Sequence, residues 1–251
     1  MQHDVTTRLR LFATSRRHFM RATAIAGGLA AVTTLAPSRI AGIALAESAF
    51  QADGDIGVLN YALTLEHLEY AFYRDGLRKF GRKDLNWTVI VNRGGKAIRR
   101  PVYDEFVRIR DREDQHVDTL TSVIGSLGGT PVLEATYNFE TTAFTSVEQF
   151  VNVAQLLENT GVMAYDGAIA HIEDAELLTA GATIATVEAR HASYLNLLNG
   201  ETGFPDAFDD AMTPREICRT VDEAFITGDQ TPYPPYPSLA AFCEMLPNTT
   251  S

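Results

Sequence analysis

Two segments, Glu113-Asp-Gln-His116 and Glu188-Ala-Arg-His191, place a glutamate and a histidine three positions apart inside patterns that otherwise read as amphipathic helices. Phe106, Ile109, Leu120 and Val123 share the first face, and Ile184, Val187, Leu195 and Leu198 share the second. A carboxylate on a buried face is costly unless something pairs with it. In a helix, positions i and i+3 lie roughly 60° apart and about 4.5 Å along the axis, so both side chains can meet one ion. The chain must either leave these faces open or supply the acids with a partner.

The flanking sequence predicts two more long helices. From Asp55, the residues Ile56, Leu59, Leu63, Glu66, Tyr70, Tyr73 and Leu77 recur at threes and fours, with breaks expected at Gly76 and Gly81. A second helix is expected from Pro101 to Leu127, stopped by Gly128-Gly129. Residues 129–145 read as a long crossover. A third helix is expected from Ser146, which offers an N-cap, to about Leu178, with Gly161 and Gly167 inside it. After a break at Gly181, a fourth spans 182–199. Between the first two helices, Trp87, Val89 and Val91 alternate with polar residues, as a short strand or an irregular cover would, and Asn92 to Gly95 reads as a turn. Beyond Gly200 the texture turns Pro-rich, with one short capped helix over Thr213 to Ile226. Four long helices and little strand predict an all-α four-helix bundle with a long crossover connection and a Pro-rich C-terminal extension.

The first and third helices each contribute a lone acid. Glu66 precedes Tyr73 by seven residues and Glu158 precedes Tyr165 by seven, so each tyrosine shares its glutamate's face. The order Glu, Glu-x-x-His, Glu, Glu-x-x-His is an internal repeat of two helical hairpins. This pattern resembles the ferritin-like di-metal carboxylate superfamily. The textures "DIGVLNYALTLEHLEYAFY" and "EARHASYLNLLNG" resemble those of exported ferritin-like domain proteins of the desiccation-related type. The resemblance covers about residues 53–200 and implies Glu66, Glu113, His116, Glu158, Glu188 and His191 as ligands of two Fe or two Mn ions, with zinc as a further option. Glu113 and Glu158 are the natural bridging or semi-bridging pair, with the spacing leaving open which of the four acids bridge. Glu69, three residues after Glu66, competes with it or adds to it. Tyr73 and Tyr165 are expected as core tyrosines whose hydroxyls support the glutamates. His67 and His171 read as packing or surface histidines. Asp114, Asp118 and Arg190 read as solvated.

Charge divides the chain. The net −11 is made of +5 in residues 1–46, with six Arg and one Asp, and −16 in the rest. The acidic remainder argues against nucleic acid as a partner. "SRRHFMR", Ser15 to Arg21, resembles a twin-arginine export signal. The apolar run Ala22 to Ala36 is too short and too weakly hydrophobic to span a bilayer, and Ala44 to Ala46 offers a cleavage site. Three segments are therefore expected: an export signal over 1–46, a bundle over 47–200 and an extension over 201–251. Localisation is expected in the periplasm, or outside the cell or in its envelope, with no integral membrane segment after cleavage. An oxidising compartment permits a disulfide between Cys218 and Cys243, the only two cysteines, adding about 3 kcal/mol of stability.

Two functions are compatible with this reading. One is a di-metal oxidoreductase, a ferroxidase or a peroxide-consuming enzyme, that meets oxygen or peroxide in stress protection. The other is a non-catalytic stress- or desiccation-related envelope protein that retains the bundle. A homodimer is one assembly the reading allows.

Overall fold

A computed structural model describes the backbone of residues 37–86, 101–226 and 233–250, with side chains from residue 54 onward. Residues 1–36 of the expected export signal, the alternating segment at Trp87, Val89 and Val91, and the turn at Asn92 to Gly95 lie outside the described residues.

The helices are α1 (Pro37–Lys79), α2 (Val102–Ser126), α3 (Val147–Ala168), α4 (Ala175–Leu198), α5 (Pro214–Phe225) and α6 (Leu239–Met245), with a 3-10 turn at Ile169–His171. Among the described residues there is no sheet, only isolated bridges at Tyr137–Ile226 and Tyr233–Tyr236. None of the helices searched is long and apolar enough to cross a membrane. The fold is an all-α bundle. α1 packs chiefly on α2, and α3 on α4, while α1 and α3 join the two hairpins.

Helix ends follow local chemistry. α1 is broken at Gly54, whose φ of 49° is left-handed, so its bundle portion starts at Asp55. Ser146 caps α3, accepting from the Gln149 amide. The expected extent of α3 to Leu178 and the break at Gly181 are corrected. α3 stops at Ala168, and α4 begins seven residues later, six before Gly181. The cause is Asp174, whose carboxylate caps α4 by accepting from the Glu176 and Leu177 amides. Asp55, at the start of the bundle part of α1, accepts from the Glu173 and Asp174 amides at 2.7 and 3.0 Å and fixes that corner. Gly76 likewise stays inside α1, which runs on to Lys79; the Phe150 ring packs directly on its bare Cα.

Two devices hold the long connections. Buried Asn60 donates to Thr130 O and accepts from the Val132 amide, fixing the start of the crossover to α1. The C-terminal extension returns across α3, where the Met212 amide donates to Met163 O at 3.1 Å. A Cβ on Gly167 would stand 1.7 Å from the Met212 carbonyl oxygen, so only glycine admits this backbone. The Thr64 and Tyr233 hydroxyls hydrogen-bond at 2.7 Å, and a Cys218–Cys243 disulfide ties α5 to α6. Since backbone cannot yield as a side-chain tip can, Gly167→Ala should lower unfolding stability by about 1–3 kcal/mol in urea titrations, despite alanine's higher helix propensity. No loss would show that the extension is not docked there.

Candidate metal centre

Each of the four bundle helices turns one acidic position into the middle of the core. Glu66 comes from α1, Glu113 from α2, Glu158 from α3 and Glu188 from α4, and all four are fully buried. His116 and His191, one turn after Glu113 and Glu188, are 12% and 11% exposed at the side chain. The six residues form two overlapping groups whose ligand atoms lie within 4.8 Å of one another. The first is Glu66, Glu113, His116 and Glu188; the second is Glu113, Glu158, Glu188 and His191.

The acids common to both groups are Glu113 and Glu188; Glu158, expected with Glu113 as the natural bridging pair, belongs to the second group alone. The reason is the internal repeat. Glu113 and Glu188 hold equivalent places in the two hairpins, so a two-fold arrangement shares both of them, whereas Glu113 and Glu158 are not equivalent. Glu113 divides its oxygens: Oε2 lies 2.9 Å from His116 Nδ1, and Oε1 lies 2.9 Å from His191 Nδ1. His116 Nδ1 also approaches Glu66 Oε2 at 3.1 Å and Glu188 Oε1 at 3.3 Å. His191 Nδ1 approaches Glu158 Oε2 at 3.2 Å.

The tyrosines cross over. Tyr73 of α1 donates to Glu158 Oε1 of α3 at 2.6 Å, and Tyr165 of α3 donates to Glu66 Oε1 of α1. Each hydroxyl holds the outer oxygen and leaves Oε2 facing the histidines. Sequence spacing put each tyrosine on its own glutamate's face; packing α1 against α3 hands it to the other glutamate. His67 and His171 lie outside both groups, against the Val132 and Thr249 carbonyls. Asp114, Asp118 and Arg190 are exposed. Glu69 is outside both groups too, but it is buried.

Electrostatics show an acid cluster held together by protons. Burial works to lower His116 and His191, but their carboxylate neighbours outweigh it and push them up to about 12 and about 11. Burial works to raise Glu113, yet the contacts from His116 and His191 hold it at about 2. Burial raises Glu66 to about 7, and burial with the surrounding acids raises Glu188 and Glu69 well above the usual carboxylate range. Geometry satisfies these groups poorly: Glu113 Oε1, Glu158 Oε2, Glu188 Oε1 and His191 Nδ1 meet their ion-pair partners without well-aligned hydrogen bonds, and Glu188 Oε2 has no hydrogen-bond partner among the described residues. Orphaned buried acceptors are costly. Carboxylate oxygens and imidazole nitrogens converging in this way are the donor set of a divalent cation, so the residues present fit two metal ions.

Beside the centre lies a mostly apolar cavity of about 110 Å³. Ala62, Leu120 and Ile184 line it, each one turn from Glu66, His116 or Glu188, and Tyr165 forms part of its wall. The backbones of α2 and α4, which carry the two Glu-x-x-His motifs, make few close approaches, and the motifs meet through their side chains.

A bundle with paired Glu-x-x-His motifs around a buried carboxylate and imidazole cluster has the architecture of a protein that could hold metal at its core. A family model described as a ferritin-like domain matches residues 54–201, and the chain belongs to that family. A search of curated proteins returns no match.

The pKa directions predict pH-linked metal uptake. With pKa values near 12 and 11, both histidines are protonated at pH 7 in the metal-free protein and must lose those protons to offer Nδ1. Metal uptake should therefore release protons, and apparent affinity should rise with pH through the neutral range. Calorimetry in two buffers of different ionisation heat measures this; uptake without proton release would contradict it.

Proposed function

We propose that the protein is an exported ferritin-like protein whose centre holds two iron or manganese ions and performs redox chemistry with oxygen or peroxide in stress protection. The observation that carries this reading is the pair of overlapping groups sharing Glu113 and Glu188, in which buried oxygens of Glu113, Glu158 and Glu188 and His191 Nδ1 converge without well-aligned hydrogen bonds. Glu66 and His116 would hold one ion, Glu158 and His191 the other, and the two shared acids would serve both. Bound iron or manganese would supply one-electron redox steps, which zinc would not.

The chain's own residues set the conditions for that chemistry. Tyr73 and Tyr165 fix the orientation of Glu158 and Glu66 and keep a proton on each outer oxygen contact. The apolar cavity excludes bulky or charged substrates from that end of the centre and suits a small uncharged oxidant. Export is supported by "SRRHFMR" and by the disulfide, which suits an oxidising compartment. A twin-arginine route would carry a bundle already folded around its ions.

The test is to purify the full chain from metal-replete cells and measure bound metals by mass spectrometry, then oxygen-dependent Fe(II) oxidation and peroxide consumption. About two iron or manganese ions per chain are expected, given a carboxylate-bridged bundle site. Glu113→Ala, which removes an acid common to both groups, should lose most of both ions and the activity with them. Less than one ion per chain would sink the reading. Two ions with equal, negligible turnover in wild type and Glu113→Ala would favour a non-catalytic envelope protein.

A further inference from the structure

The two halves of the centre correspond residue by residue: Glu66 to Glu158, Tyr73 to Tyr165, Glu113 to Glu188 and His116 to His191. One position breaks the match. Three residues after Glu66, α1 carries Glu69; three residues after Glu158, α3 carries Gly161. These two positions meet. A Cβ on Gly161 would stand 3.2 Å from Glu69 Oε1 and 3.3 Å from Glu188 Oε2. The Glu69 carboxylate thus uses room that a side chain at 161 would need, beside one of the shared acids.

Glu69 is 4% exposed, and its Oε1 lies against Gly161 beside Glu188. Burial and the neighbouring acids Glu188, Glu158, Glu66 and Glu113 all disfavour its charged form, a cost that a cation beside it would offset. Its direction is set by its helix. Tyr73, one turn further along α1, reaches Glu158, while Glu66, one turn back, belongs with His116. Glu69 therefore faces the Glu158 and His191 side of the shared acids.

Resting on the two-ion reading above, we propose that Glu69 is a further metal ligand, admitted by the bare Cα of Gly161, for the ion held by Glu113, Glu158, Glu188 and His191. The centre is then asymmetric. One ion has five protein ligand residues. The other has four and keeps the more open coordination, on the side where Gly161 contributes nothing. Five carboxylates against two divalent ions leave a net charge of −1, where four would balance. That surplus favours hard cations able to carry higher charge at the Glu69 position, so iron and manganese over zinc.

The test is a titration of the metal-free full chain with Co(II), read by calorimetry for number and affinity and by visible absorption for coordination number. Wild type should bind two ions in steps of unequal affinity. Glu69→Gln, close to isosteric, should weaken one step by roughly tenfold or more, as loss of supporting carboxylates does at other metal sites, and should change that ion's visible spectrum only. Gly161→Ala, which crowds the Glu69 and Glu188 oxygens, should weaken the same step while far-ultraviolet circular dichroism keeps its helical signal. Two steps and spectra unaltered in both variants would overturn the assignment of Glu69 and leave the two-ion reading standing. A wild type that binds no Co(II) would overturn both.

Discussion

The structure depends on how a cluster of buried carboxylates is kept from repelling itself apart. Glu66, Glu69, Glu113, Glu158 and Glu188 all lie inside one bundle, where low dielectric magnifies like-charge repulsion. In the metal-free protein the answer is protons. The two histidines stand as cations between the acids, and several carboxyls are pushed toward their neutral forms. This makes the centre a fastener as well as a site. Tyr73 with Glu158, Tyr165 with Glu66, His116 with Glu188 and His191 with Glu113 all join one hairpin to the other. Metal ions would replace protons in the same role, which is why uptake and pH are linked.

Around that core the remaining chain acts as bracing. The aromatic residues Phe72, Tyr73, Phe106, Phe144 and Phe150 pack edge-on and tilted at the Tyr73 side of the centre, which keeps that tyrosine directed at Glu158. The Tyr165 side is looser, with the apolar cavity next to it. The two ends therefore differ although the ligands repeat. Asn60 fixes the crossover to the bundle and Gly167 admits the extension against it, while the disulfide ties the extension's own two helices together.

Much of this was legible in sequence because helical periodicity is local. The apolar stripes and the mid-helix position of each acid follow from spacing alone, and so does the capping role of Ser146. What failed were the breaks expected at Gly76 and Gly181. Both lie inside helices, as do Gly161 and Gly167, which were expected there, and contacts from distant residues explain Gly76, Gly161 and Gly167: Phe150, Glu69 with Glu188, and Met212. The true break between α3 and α4 was signalled by Asp174, a cap whose partners lie two and three residues on.

By itself, the sequence determined which residues could meet. The repeated order of acids and histidines selects six side chains, and the helical period aims each at a common axis. Only the tertiary structure decided how they are shared. It made Glu113 and Glu188 common to both groups, crossed the tyrosines between α1 and α3, and brought Glu69 against Gly161. Spacing along one helix fixes a face, but which neighbour that face meets depends on how two hairpins dock, and docking is set by contacts far apart in the chain.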